Sequence, residues 1–186
     1  MIPAMGLKTY KEKRDFQKTP EPGGKPDKKK RGKKAGLVYV IQRHQASRLH
    51  FDLRLEEAGV LKSWAVPKEP PVGEGVRRLA VRVEDHPLDY ARFEGTIPEG
   101  EYGAGTVEIW DQGSYIPEET TPSKRVFEIK GRVLRGRYCL IKLKSQNPVD
   151  HNWLFFKLKK SPAKDRLDKS VRQDCAMKKL LNSWSR

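Results

Sequence analysis

From residue 37 to residue 158 the chain is a succession of short apolar or alternating runs separated by turn residues: LVYVIQR, LHFDLRLE, VLKSWAV, RLAVRVE, GTVEIWD, RVFEIKG, GRYCLIKL and NWLFFKL. Runs of this length and period predict strands. Eight of them with short connections predict an all-β barrel or sandwich. The turn EEAG at 56 to 59 joins 49–56 and 60–66 into a hairpin.

The flanks have a different texture. LKTYKEKRDF (7–16) has the makings of two or three helical turns, ended by the prolines and glycines of TPEPGG. KPDKKKRGKKAG (25–36) offers nothing apolar to bury before Ala35 and predicts a flexible basic linker. After Ser161-Pro162, a cap followed by a first-turn proline, apolar residues at 163, 167, 171, 177, 180, 181 and 184 predict an amphipathic C-terminal helix. The expected division is a basic segment over 1–36, a β domain over 37–160 and a basic helix over 161–186.

Charge sharpens this division. Residues 8–34 hold twelve basic and four acidic side chains and residues 157–186 ten and three, while the 122 residues between hold seventeen of each. The net charge of +15 therefore belongs to the flanks, which suit a polyanion or simple solubility. No apolar run approaches a membrane span, and the N-terminus lacks a signal-peptide pattern. A cytoplasmic protein is expected. Cys139 and Cys175 lack metal-ligand spacing and are expected to be reduced structural thiols.

Candidate chemistry lies in LHFDLRLE. Its odd positions, Leu49 to Leu55, are apolar; its even positions are His50, Asp52, Arg54 and Glu56. Alternate strand residues share a face about 7 Å apart, so these polar groups line up together. His50 and Asp52, with His44 bending back from six residues upstream, would give a metal two imidazoles and a carboxylate with positions left open, and Arg54 would meet a phosphate oxygen. Spacing alone leaves a solvated strand with cross-sheet ion pairs as an equal alternative. His86, in VEDHPLDY, falls where strand-end loops display functional groups. Trp64 and Trp110 fit a core role, and GEYGAG (100–105), which precedes a strand and not a helix, fits a hairpin turn with no phosphate role.

The strings YVIQRHQASRLHFDLRLEEAGVLKSWAVPKEPP (39–71) and RLAVRVEDHPLDYARFEGTIPEGEYGAGTVEIWDQGSY (78–115), with KRDFQKTPEP (13–22) before them, closely resemble the 3′-phosphoesterase domain of bacterial DNA ligase D. With the weaker WLFFKLKK, the resemblance covers about residues 10–160. It implies a small closed or partly open β-barrel of about eight strands with flanking N- and C-terminal helices. It also implies a Mn²⁺-dependent enzyme, with Co²⁺ or another first-row ion as a substitute, that heals 3′ ends of a primer-template. A phosphodiesterase step removes a 3′-terminal ribonucleoside, and a phosphomonoesterase step removes the 3′-phosphate left behind.

By the same resemblance, His44, His50 and Asp52 match metal ligands, and Arg54, His86 and Tyr90 match phosphate contacts. Arg14, Asp15 and Glu21 match N-terminal residues needed for activity, and Gln42, Lys68, Arg78 and Glu84 match supporting positions. Arg54 and Arg78 are expected to offset developing charge, with Glu21 and Glu84 orienting the histidines or arginines. His86 is either a proton donor to the leaving oxygen or a hydrogen-bond donor. No Lys-x-Asp-Gly motif is present, so a free-standing monomer working with a separate ligase, polymerase or end-binding protein is expected. The competing expectations are a non-catalytic nucleic-acid end-binding module and a phosphoesterase for small nucleotides.

Overall fold

The computed structural model describes residues 7–24, 36–144 and 151–159. The expected linker over 25–36, except Gly36, and the expected C-terminal helix, with Cys175, lie outside these residues. Ten strands form: β1 Leu37–Gln45, β2 Leu49–Glu57, β3 Val60–Val66, β4 Arg77–Arg82, β5 His86–Pro87, β6 Gly95–Ile97, β7 Gly105–Thr120, β8 Lys124–Gly131, β9 Arg135–Lys142 and β10 Asn152–Lys157. The order β1-β2-β3-β4-β10-β9-β8-β7, with β7 pairing back onto β1, closes an eight-stranded antiparallel barrel. These eight are the strands expected from the sequence. The short β5 and β6 are additions, pairing with β3 and β7.

The β2–β3 hairpin turns on Ala58 and Gly59, at φ 51° and 82°. Two positive values in succession are the type I′ geometry, whose twist matches that of the flanking strands. At the N-terminus the helix, α1, covers only Lys8–Glu12, shorter than the expected 7–16, and Leu7 gives it no side-chain cap. One buried residue, Tyr10, and no cap cannot sustain more turns. Beyond it the amides of Lys18 and Thr19 both donate to the Asp15 carbonyl and bend the chain back.

The barrel interior is filled by alternate strand residues, among them Tyr39, Ile41, Leu53, Leu55, Trp64 and Phe155. Trp64 is fully buried and Trp110 packs partly buried against this core, as expected. A second cluster lies outside the barrel wall, where Tyr10 and the residues Tyr90, Ala91, Phe93 and Ile97 cover Val40, Leu61 and Val107. Strand β7 serves both. Gln42 pairs with Ile109 and Ile41 with Asp111, so Trp110 is an extra residue at a bulge. Before it Val107 faces the outer cluster; after it Tyr115 faces the barrel interior. Among the described residues, no helix is long and apolar enough to cross a membrane.

Candidate metal and phosphate site

The polar face of β2 is directed to the outside of the barrel wall, but it is not solvated. Segment 7–24 and the 83–104 crossover cover it, leaving a cleft of about 290 Å³ bordered by Arg14, His44, His50, Asp52, Arg54 and His86. His44 arrives there by strand pairing, not by a bent loop. It sits in β1 directly opposite His50, and Gln42 sits opposite Asp52.

Ligand-capable atoms of His44, His50 and Asp52 lie within 4.8 Å of one another. The outer contacts of the two imidazoles set their tautomers. His44 Nε2 lies 2.9 Å from the Gly103 carbonyl and His50 Nδ1 3.0 Å from the Arg48 carbonyl. A carbonyl only accepts, so those nitrogens carry the protons. The bare nitrogens, His44 Nδ1 and His50 Nε2, then each face an Asp52 oxygen at 3.7 Å. Burial raises the Asp52 pKa, but Arg54 and the two histidines outweigh it and hold the carboxyl below its usual value. Two lone pairs and a carboxylate converging on one point form a donor set that fits a divalent first-row cation, with each histidine braced from behind.

Arg54 is buried and fully oriented. Its Nε donates to Gln42 Oε1 at 2.7 Å, Nη1 to Ser63 Oγ at 3.0 Å and Nη2 to Asp52 Oδ2 at 3.0 Å. Its guanidinium lies over the Tyr90 ring at 4.6 Å. Gln42 also donates to the carbonyls of Tyr90 and Phe93, tying β1 to the 3₁₀ turn at Leu88–Arg92.

The N-terminal segment contributes a second arginine. Arg14 donates from Nε to Glu21 at 2.9 Å and from Nη1 to Glu84 at 3.4 Å, and its Nη2 lies 3.3 Å from His86 Nε2. A guanidinium cannot accept, so that His86 nitrogen is a lone pair and the ring proton sits on Nδ1, 3.0 Å from the Glu84 carbonyl. Burial, then Arg54 and Arg14, push the His86 pKa well below its ordinary value. His86 is a neutral acceptor here. Tyr90 donates its hydroxyl proton to Glu21 at 2.9 Å, and burial, with Glu21 and Asp52, raises its pKa well above the usual phenol despite Arg54.

Of the residues singled out by sequence, ten converge on the cleft or its immediate supports: Arg14, Glu21, Gln42, His44, His50, Asp52, Arg54, Glu84, His86 and Tyr90. Three do not border it. Asp15 shapes the turn toward Glu21, accepting the Gln17 amide at its carboxylate. Arg78 spends its Nε on the Glu69 carbonyl, and Lys68 is exposed. Sequence reasoning missed Ser63, fully buried between Arg54 and His86, and Thr19, which donates to Glu21. The GEYGAG turn does join β6 to β7, yet it supplies Tyr102 and Gly103 to the cleft.

A family profile described as the DNA ligase D 3′-phosphoesterase domain matches residues 42–142. The chain is 48% identical over 170 residues, 87% of its length, to the multifunctional non-homologous end joining protein LigD of Pseudomonas aeruginosa. It is 46% identical over 156 residues, 78% of its length, to the protein of that name in Mycolicibacterium smegmatis. In both cases it spans about 20% of the relative. The profile match and these identities together show that the chain belongs to the DNA ligase D 3′-phosphoesterase domain family.

Proposed function

We propose that this cleft hydrolyses phosphoesters at the 3′ ends of DNA in end-joining repair, in a Mn²⁺-dependent way, removing a terminal ribonucleoside and then the 3′-phosphate. The observation that carries the reading is the pair of bare imidazole nitrogens facing Asp52 beside two buried arginines. Family membership supports the phosphoesterase class, and the relatives' names supply the end-joining context.

His44, His50 and Asp52 would hold the cation, which would supply Lewis acidity toward a phosphoryl oxygen and toward water. Arg54 and Arg14, their forks fixed by Gln42, Ser63, Glu21 and Glu84, offer preset donors to the non-bridging oxygens as charge develops there. Water oxygen bonds to phosphorus as the P–O ester bond breaks, and the proton that the water gives up to solvent is matched by one that the departing oxygen takes from solvent. His86, neutral and accepting from Arg14, positions that guanidinium. Tyr90 holds Glu21 and packs under Arg54. The net charge of +15 suits the polyanionic substrate.

The test is a primer-template whose primer ends in one ribonucleotide, incubated with Mn²⁺ or with chelator. Stepwise conversion to a 3′-phosphate and then a 3′-hydroxyl, only with metal, is expected. Ends that bind but stay unchanged would leave the non-catalytic end-binding module in its place.

A further inference from the structure

The mouth of the cleft carries an aromatic ring that hydrolysis itself does not require. Tyr102 borders the same cavity as the metal ligands and the two arginines, yet the residue is 48% exposed, against 2% for Tyr90 in the same lining. A single exposed tyrosine is ordinary on a protein surface, but one that borders a cleft beside the metal ligands and two arginines offers a flat apolar face to whatever the cleft takes up. The ring is also held still. The Glu101 amide bonds to the Pro98 carbonyl and the Ala104 amide to the Glu101 carbonyl, bracing the turn. Lys13 Nζ reaches the Tyr102 hydroxyl at 3.2 Å while bridging to Glu84, and lies 4.5 Å from the ring centroid.

Its position relative to the metal ligands is fixed as well. The carbonyl of the next residue, Gly103, accepts from His44. A 3′-terminal nucleotide has a charged end and a flat apolar end. The charged end belongs among Arg54, Arg14 and the ligand triad. Ala46, Ile97 and Tyr102 give the lining an apolar portion, to which Ala65 and Val83 add.

The geometry points to Tyr102 as a stacking platform for the nucleobase of the 3′-terminal nucleotide, a subsite that makes the enzyme favour base-bearing ends over abasic ones. This rests on the proposed end-processing function. A ring already immobilised by its turn and by Lys13 loses little freedom on binding, so stacking shows as affinity. It is tolerant of base identity, because every base has a π-face.

The experiment uses the full chain with Mn²⁺ and a primer-template whose 3′-terminal nucleotide carries 2-aminopurine and a 3′-phosphate. Fluorescence is read by stopped flow before turnover, and phosphate release is followed for this end and for a matched abasic 3′-phosphate end. Wild-type protein and Tyr102→Phe are expected to quench the fluorophore, and Tyr102→Ala is not. In Tyr102→Ala the KM for the base-bearing end rises roughly tenfold relative to the abasic end. Undiminished quenching in Tyr102→Ala overturns the platform. So does an equal KM loss on both ends, or loss of quenching in Tyr102→Phe, which would assign the effect to the hydroxyl tie with Lys13. Phosphate release by wild type without quenching removes the platform and leaves the function standing. Tyr102-dependent quenching without phosphate release does the reverse.

Discussion

Replacing Glu21 by Ala removes the acceptor that folds segment 7–24 on itself through Arg14 and Thr19 and that takes the Tyr90 hydroxyl. Glu21 and Arg14 are 1% and 5% exposed at their side chains and lie 2.9 Å apart, and the same carboxylate accepts from Tyr90 and Thr19. Breaking a buried pair by deleting one partner costs about 3–5 kcal/mol, because the surviving charge is stranded. Arg14 is not wholly stranded, since Glu84 remains at 3.4 Å, so the expected cost is about 2 kcal/mol, below that range. Segment 7–24 packs on the outside of a barrel that has its own core, so the loss appears first as loosening of the segment's own fold around Arg14 and Thr19. About 2 kcal/mol corresponds to roughly a 30-fold larger open population. The assay is amide hydrogen exchange at Thr19, whose N–H donates to the Asp15 carbonyl. Glu21→Gln, which keeps the shape and an acceptor, should open much less than Glu21→Ala. Unchanged exchange at Thr19 in Glu21→Ala would refute the assignment of Glu21 as the anchor, as would additive effects with Arg14→Met in a double-mutant cycle.

Further expectations are as direct. Because the folded state holds His86 neutral with a depressed pKa, the unfolded chain binds more protons below about pH 6.5, so stability falls as pH drops through that value. Urea denaturation between pH 7.5 and 5 should show a shallower decline in His86→Gln. Added Mn²⁺ should raise the melting temperature of the wild type, with stabilisation of about 2.7 kcal/mol at a hundred times its Kd, and His50→Ala should abolish that rise without unfolding the apo protein. Gly131→Ala would bring a Cβ within 2.8 Å of the Leu134 carbonyl and of the Tyr39 ring, and 2.6 Å of Asp111. That overpacking should cost about 1–3 kcal/mol of stability, read as a lower urea midpoint at unchanged slope.

The barrel was legible because its eight strands alternate and its turns carry the residues their backbone angles need, as at Ala58-Gly59. The face bearing His50, Asp52 and Arg54 was legible for the same reason. Its surroundings were not. Glu84 was expected to support the site only through the resemblance and Asp85 was not singled out, yet both are buried, Asp85 between Lys62 and Arg82 and Glu84 between Lys13 and Arg14. Those partners lie 3 to 71 residues away, beyond what local periodicity reports. His86 was expected in a loop and instead pairs with Leu61. The expected run GTVEIWD is only the first part of β7, which continues through Pro117 to Thr120, where polar residues hide the alternation and a second register shift interrupts it.

The extra residue at Trp110 has a bearing on how this fold tolerates change in length. The bulge re-phases β7, so that Val107 belongs to the cluster roofing the active cleft and Tyr115 to the barrel interior. Substitutions along the strand are graded by the fit of single side chains. Deleting Trp110 would remove the bulge and leave Ile109 and Asp111 as consecutive outward and inward residues opposite Gln42 and Ile41, so the barrel would keep Asp111, whose carboxylate accepts from Tyr39 and from the amides of Gln112, Arg132, Val133 and Leu134. The interval between Ile109 and Asp111 thus holds a residue that the alternation does not need, and variants of this protein can lose one residue there with every later side chain of β7 still on its present face.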